Sequence, residues 1–463
     1  MNAKPARAQN LTWGMALLRA LCSHRANSMP VLATLSSMPP FASLAGRQVK
    51  QLLGLGLSLS TWLFAPVTAL AQTEVLPYLP DAGAVKQTLL NSPGVYSALA
   101  KRDAQRERAQ GIRAGHAEFT VRSSFQSRRA GAAEGRFTES IISVERPIRL
   151  WGKSAQDSAL AAQTEAVAGI EYSDALHEAS RELLKLWFAH LRGLNDQQNA
   201  NLHFDYMQQV QRQVERRFQR GELAQLDLTL ASAELSRAQA VRDSAQAQLA
   251  ASRATLNRRY PTLSIPSVIP LAPLPPMPQG LDTLRDAFLA KNHELNLLRA
   301  EAQRLQLLAR RFELERTPDP TLGVYAATER GGAEQISGVS LSFPIGGPIR
   351  AANSRMAMAE ARSLEEQVQQ VERSLAGGFD ALWAQLLHKR SAADNLSQAA
   401  QRQAVAAEKS LRAFALGEYS LAQTLQVNRT ASEYRHAART TQLEVVELVA
   451  LLWLDLHEIW DLD

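Results

Sequence analysis

"RRFQRGELAQLDLTL" spans Arg216 to Leu230, and its one glycine decides how the chain is read. The flanking sequence is rich in Ala, Gln, Leu, Arg and Glu, all good helix formers, and no proline occurs between Pro147 and Pro261. So long a helical stretch can fold back only where the backbone is free to turn left-handed, which Gly221 allows without steric cost. The same Phe-x-x-Gly-Glu pattern recurs 196 positions on, where Phe218, Gly221 and Glu222 become Phe414, Gly417 and Glu418 in "RAFALGEYSLAQTLQ".

The recurrence extends beyond the glycines. "SIISVERPI" (Ser140 to Ile148) matches "SGVSLSFPI" (Ser337 to Ile345) at an offset of 197. Each half carries a helical stretch, two short strand-like segments about a Gly-rich turn, a proline, a long helix, the glycine and a further helix. An internal repeat of this kind sets the domain organisation. Residues 1–71 are a leader, 72–260 a first repeat, and 281–463 a second. Residues 261–280 hold seven prolines and form an extended strap between them.

Helices are predicted over 82–115, 149–220 and 222–259, and over 281–316, 349–416 and 419–461. In the first half the two shorter stretches together match the longer one, so they would lie end to end along it. In the second half the same match is looser, the short pair being longer than its partner helix. At 1.5 Å per residue a long helix of this kind spans about 100 Å. Leu183, Trp187, Leu191 and Leu194 step by fours and threes, as coiled-coil contacts do. After a polar gap the seam resumes at Met207, Val210, Val214 and Phe218. Val368, Val371, Leu375, Phe379, Leu382 and Leu386 form its counterpart.

The strand candidates are Ala117–Ser127, Phe137–Pro147, Pro320–Glu329 and Gln335–Pro344. Their length suits a tilted strand crossing a bilayer. Phe119, Val121 and Phe125 alternate with polar neighbours, as do Val339, Leu341 and Phe343, so one face suits lipid and the other water. A small soluble hairpin packed on helices is the competing reading. Four strands cannot close a barrel, since side-chain-filled barrels begin near eight. A membrane role therefore demands several chains in a cyclic oligomer.

The formal net charge is +6. Lys4, Arg7, Arg19, Arg25, Arg47 and Lys50 fall within residues 1–71, which contain no acidic residue, and the remainder carries 45 basic and 45 acidic residues. Basicity thus belongs to the leader, and a nucleic-acid partner is not expected. "GRQVKQLLGLGLSLSTWLFAPVTALAQ" (Gly46 to Gln72) has the basic start, apolar stretch and small residues of an export signal, with cleavage expected after Ala71. A transmembrane anchor is the alternative. Cys22, the only cysteine, lies in that leader, so neither a disulfide nor a thiol ligand is expected in the mature chain.

Taken together, the repeat, the strand pairs ending in proline before a long helix ("VERPIRLWGK", "LSFPIGGPIR") and the two Phe-x-x-Gly turns resemble the TolC family of outer-membrane efflux channels. The resemblance covers essentially the whole mature chain. "ERTPDPTLGVY" (Glu315 to Tyr325) looks most like the CzcC-type heavy-metal efflux branch. What this resemblance implies is a mainly α-helical protein with a small transmembrane β part. It would be a homotrimer, with four strands per chain in a shared 12-stranded barrel and a long periplasmic coiled-coil barrel. It would dock a periplasmic adaptor linked to an inner-membrane RND pump, and export heavy-metal cations or, alternatively, drugs and other small molecules.

The resemblance also assigns residues. Arg220, Gly221, Glu222, Leu416, Gly417 and Glu418 fall on the adaptor-docking tips. Asp227 matches a carboxylate that helps latch the pore shut. The expected basic partner is replaced by Tyr419, and the expected pore carboxylates by Gln423 and Gln426. An ordinary solvated helix surface is the other reading of Asp227 and the two glutamines.

No phosphate loop, nucleophile elbow or cluster of metal ligands stands out, so no enzyme activity and no cofactor are expected. His116, His177, His190, His203, His293, His388, His436 and His457 show no pair at spacing three or four. A metal site built on one helix is therefore not expected. Trp151, Trp187, Trp383, Trp453 and Trp460 read as packing residues. Two other classes remain, a periplasmic adaptor with a helical hairpin and a soluble coiled-coil scaffold. The first should add a compact β-domain, and the second leaves the strand pairs unexplained.

Overall fold

The structure is a computed structural model and describes residues 76–129, 131, 135–270 and 272–462. The leader, its cleavage point and Cys22 lie outside the described residues. A short 3-10 turn at Leu76–Tyr78 leads into α1 (Ala82–Leu90) and α2 (Pro93–Ala114). Strands β1 (Thr120–Arg129) and β2 (Arg136–Pro147) follow, then α3 (Lys153–Gln219) and α4 (Gln225–Arg259). The second half repeats the order with α5 (Leu281–Lys291), α6 (His293–Leu314), β3 (Thr321–Glu329), β4 (Glu334–Ser342), α7 (Pro348–Leu416) and α8 (Leu421–Asp455). The protein is mainly helical with one small sheet.

The first helical stretch of each half is broken, which corrects the continuous helices predicted over 82–115 and 281–316. Ser92 caps α2 by accepting a hydrogen bond from Val95 N at 3.4 Å, and Pro93 occupies its first position. A proline there has no N–H to lose but cannot extend a preceding helix. Asn292 does the same for α6, accepting from Leu295 N at 2.8 Å. The final helix also stops at Asp455 rather than near 461, where the chain turns left-handed at His457 (φ 58°). β1 starts three residues later than expected, because residues after Gly115 (φ 70°) form a turn instead of pairing.

α3 (67 residues) and α7 (69 residues) organise the packing. α2 and α4 lie on α3, while α6 and α8 lie on α7, and α3 also contacts α6 and α8, joining the halves. The apolar seams anticipated on α3 are largely buried: Leu183, Trp187, Leu191, Leu194, Met207, Val210 and Val214. The polar gap between them is matched by polar partners on α8. Asn195 Nδ2 donates to Thr440 Oγ1 at 3.0 Å, Asn199 to Ser432 at 3.3 Å, and His203 Nδ1 meets Asn428 Oδ1 at 3.2 Å. Burial lowers the pKa of His203 more than its Asn428 bond raises it, so the ring is held neutral.

Two apolar clusters result. The larger gathers Leu184, Phe188, Leu256, Phe288, Phe379, Leu443 and Trp453 around the strap. Strap prolines lack N–H donors and leave carbonyls to be satisfied, and side chains reach in to do so. Tyr78 OH donates to Ala272 O at 2.6 Å, Arg439 to Pro270 O at 2.9 Å, and His190 Nε2 lies 3.0 Å from Pro266 O. His190 is therefore a satisfied core residue. The smaller cluster joins Met207, Val210, Val214, Phe414, Leu421 and Leu425 near the two glycine turns.

The four strands form one antiparallel sheet in the order β1-β2-β3-β4. The β2–β3 pairing, from Pro147↔Thr321 to Ser140↔Thr328, stitches the two hairpins together. Among the described residues no α-helix packs appreciably on either face, and only the 3-10 turn at Arg330–Gly332 between β3 and β4 touches the sheet.

Candidate functional site: the uncovered sheet and the glycine turns

Cross-strand register sorts the sheet into two chemically opposite faces, because side chains alternate with period two. On one face Val121, Val144, Val324 and Val339 stand opposite one another in a single row across all four strands. Ile142, Ala326, Leu322, Leu341 and Phe125 extend that face. Charged residues on it appear only at the strand ends (Arg129, Arg136 and Arg146). The valine row is 65, 36, 55 and 71 % exposed from β1 to β4. Folded proteins rarely leave such a contiguous apolar patch facing water.

The opposite face is polar. Arg122 pairs with Glu145 at 3.5 Å, Arg128 with Glu139 at 3.5 Å, and Gln126 Nε2 donates to Glu139 at 2.8 Å. Tyr325 lies across Gly338, where a Cβ would meet the phenol oxygen at 2.6 Å. Strand lengths of 10, 12, 9 and 9 residues match what a tilted strand needs to cross a bilayer. Among the described residues both outer edges, β1 and β4, are unpaired, and open edges of this kind normally need a partner. No described helix is long and apolar enough to cross a membrane.

A ring of exposed apolar side chains sits where the strands meet the helices. Phe119 precedes β1, Ile148 and Trp151 follow β2, and Phe343 and Ile345 follow β4. Trp151 is 93 % exposed, so the expectation that it packs in a core is corrected. It stands in the connection before α3, beyond the reach of either apolar cluster. Trp187, Trp453 and Trp460 are buried, and Trp383 packs partly buried against the larger cluster.

Just beneath this ring lies a charged junction that the sequence pattern did not reveal. Lys153, only 1 % exposed, donates to Thr317 O at 2.7 Å and Asp319 Oδ1 at 2.8 Å, with Glu315 at 3.5 Å. Leu150 N also donates to Asp319 at 2.9 Å, and Arg350 reaches Glu315 at 2.8 Å. Arg149 and Arg311 both pair with Asp157. Burial pushes Asp319 upward, but the hydrogen bonds from Lys153 and Leu150 outweigh it and hold the carboxyl below its usual value. Glu315 behaves alike, with Arg311 the main opposing group. Lys153, Leu150, Arg149, Glu315, Thr317, Asp319 and Arg350 come from "VERPIRLWGK", "ERTPDPTLGVY" and "LSFPIGGPIR", stretches that read only as family marks in the sequence, while Asp157 and Arg311 lie on the adjoining helices.

At the other end of the long helices the two glycines close matching turns. Gly221 (φ 74°) donates to Phe218 O at 2.8 Å and Glu222 N to Arg217 O at 2.9 Å. Gly417 (φ 81°) donates to Phe414 O at 3.1 Å and Glu418 N to Ala413 O at 2.9 Å. Both have the Schellman pattern, which needs a left-handed residue where glycine stands. The turns lie beside one another, since Arg217 Nη1 donates to Phe414 O at 2.7 Å with its guanidinium over the Phe414 ring.

Arg220 pairs with Glu222 at 3.0 Å, and Leu416, Gly417 and Glu418 are exposed. Asp227 accepts from Ala224 N at 3.4 Å, stabilising the start of α4. Gln423 occupies the corresponding place in α8, where it and Ser420 form a reciprocal capping box. Tyr419 and Gln426 are exposed beside it. The two turns that carry these residues thus adjoin through Arg217 and Phe414, and within a chain Asp227 and Gln423 each serve their own helix start.

No protein-family model and no curated protein matches the sequence. Solved structures do match. The outer-membrane channel OprN aligns with a TM-score of 0.71 at 16% identity, covering 85% of this chain and 93% of that one. The CmeC outer membrane channel of Campylobacter jejuni gives 0.69 at 13% identity, covering 82% and 86%. CusC gives 0.64 at 13% identity, covering 84% and 92%. This chain has the TolC-like channel fold.

Proposed function

We propose that this protein is the outer-membrane exit duct of a tripartite efflux system, acting as a passive channel without catalytic chemistry. The observation that carries the reading is the uncovered sheet, with a face free of charge between its strand ends and two open edges. Such a face is stable against lipid and not against water. Three chains would close a 12-stranded barrel and satisfy every edge. The exposed aromatic and aliphatic ring with Trp151 suits the bilayer interface, where such residues form girdles. The fold shared with outer-membrane channels supports the same conclusion.

In this reading, residues 72–260 and 281–463 are the two repeats, tied by the strap 261–280, and residues 1–71 export the chain. The helices extend into the periplasm. Arg220, Gly221, Glu222, Leu416, Gly417 and Glu418 dock the adaptor, which bridges to an RND pump. Asp227, Tyr419, Gln423 and Gln426 line the gate, where hydrogen bonds replace an ionic latch. The cargo we assign is heavy-metal cations, resting on the likeness of "ERTPDPTLGVY" to the CzcC-type branch. The adaptor alternative is disfavoured, since the only sheet among the described residues is the four-stranded ribbon.

The test has two stages. Detergent-purified protein should run as a heat-resistant trimer and pass current across a planar lipid film, and a water-soluble monomer without conductance refutes the duct. A deletion strain should then lose tolerance to Co, Ni, Zn, Cd or Cu. Unchanged metal tolerance with altered drug tolerance replaces the cargo and leaves the duct standing.

A further inference from the structure

Three histidines that are far apart in sequence meet at one point. His177 lies on α3, His293 is the first residue of α6, and His457 follows α8. One nitrogen from each lies within 4.8 Å of the others. The ring centroids are 5.1 Å (His177–His293), 4.8 Å (His293–His457) and 5.5 Å (His177–His457) apart. They line a cavity of about 10 Å³, room for a single water or a bare ion.

Carboxylates stand behind two of the rings. His177 Nε2 is 3.2 Å from Asp455 Oδ1, which also accepts from Arg181 at 2.7 Å. His457 Nδ1 is 3.7 Å from Asp461 Oδ1. A carboxylate hydrogen-bonded to one imidazole nitrogen favours the tautomer that leaves the other nitrogen to a metal, as is typical of metal-binding histidines. Asp455 is within hydrogen-bond distance of His177, while Asp461 at 3.7 Å adds only a nearby negative charge beside His457.

The backbone supplies an independent observation. α8 ends in the same hydrogen-bond pattern as the two tips, with His457 N donating to Leu454 O at 3.0 Å and Glu458 N to Trp453 O at 2.8 Å. At the tips the left-handed residue of this pattern is glycine. Here it is His457, at φ 58°, a conformation unfavourable for a residue with a Cβ. Lys291 Nζ donating to Leu456 O at 2.6 Å holds the turn against the α5–α6 break. A strained side chain kept where glycine would fit better, and aimed at two other histidines, marks a functional position.

We infer that His177, His293 and His457 form a binding site for one divalent transition-metal cation of the zinc class, tying the end of α8 to α3 and α6. Three imidazole ligands favour Zn²⁺, Ni²⁺ or Cu²⁺ over the oxygen-seeking Mg²⁺ and Ca²⁺. Tetrahedral Zn–N bonds of 2.0–2.1 Å place ligand nitrogens about 3.3 Å apart, so binding draws the rings together and leaves a fourth position for water. The site stapling these elements is separate from the proposed gate and does not rest on the channel reading.

The test uses the full chain in detergent, stripped with a chelator and titrated with Zn²⁺ by calorimetry against a competing chelator. One Zn²⁺ per chain is expected, unaffected by excess Mg²⁺. His293→Ala should weaken it at least tenfold, while His388→Ala, an exposed histidine elsewhere, should not. His457→Gly separates binding from folding, because glycine suits the left-handed turn. It should match or exceed the wild-type Tm in chelator, yet lose the Zn²⁺ affinity tenfold or more and the Zn²⁺-induced rise in Tm. Absence of saturable binding, or His457→Gly binding within twofold of wild type, overturns the site. Zinc binding by a chain whose deletion leaves metal tolerance unchanged sustains the site and removes only the cargo.

Discussion

An arginine placed on each face of the sheet tests whether the valine row meets lipid. Val324 is the fourth of nine residues in β3, so it lies one residue, ~3.4 Å, from the strand's midpoint. An arginine on the lipid face near the bilayer midplane costs about 2–4 kcal/mol. With a tenfold change per 1.4 kcal/mol, Val324→Arg should shift the folding equilibrium roughly 30- to 800-fold per chain. Ser124→Arg is the matched control, five residues into β1 on the polar face that already carries Arg122 and Arg128. Against water that change should stay within about 0.5 kcal/mol. Urea unfolding from phospholipid vesicles, followed by tryptophan fluorescence and by the heat-resistant oligomer, gives both shifts. Equal small effects on the two faces would mean the valine row does not contact hydrocarbon, and the membrane reading would fail.

Two further outcomes follow from the turns and the junction. Gly221→Pro or Gly417→Pro forces φ near −65° where the chain holds +74° or +81° and removes a turn hydrogen bond. Export should be abolished while heat-resistant trimers still assemble, and normal export removes the docking role. Asp319→Asn keeps an acceptor oxygen for Lys153 and Leu150 but removes the charge, leaving Glu315 as the remaining carboxylate partner of the buried ammonium, at a cost of about 2–3 kcal/mol. Lys153→Met in the same chain should recover much of that loss, as read from denaturant midpoints. Because Asp319 and Glu315 are held below their usual pKa, their contribution is full above about pH 4.5. It declines as pH falls through the lowered folded-state values, so acid should weaken wild type more than Asp319→Asn.

What the sequence by itself determined is what depends on local conformation. Gly221 and Gly417 reverse helices because only glycine takes the left-handed angle freely. Val121, Phe125, Val339 and Leu341 mark strands because side-chain alternation is a property of neighbouring residues. Ser92-Pro93 and Asn292 carry equally local signals, masked in the sequence by the stronger helical composition around them. The tertiary structure decided what depends on how elements lie against one another. Lys153 finding Asp319, Asn195 finding Thr440, Trp151 standing outside both cores, and His177, His293 and His457 meeting are of this kind. Each depends on the rotation and axial register of long helices, which heptad spacing leaves free: a seam says that a helix packs, while the partner's placement says which polar groups it meets.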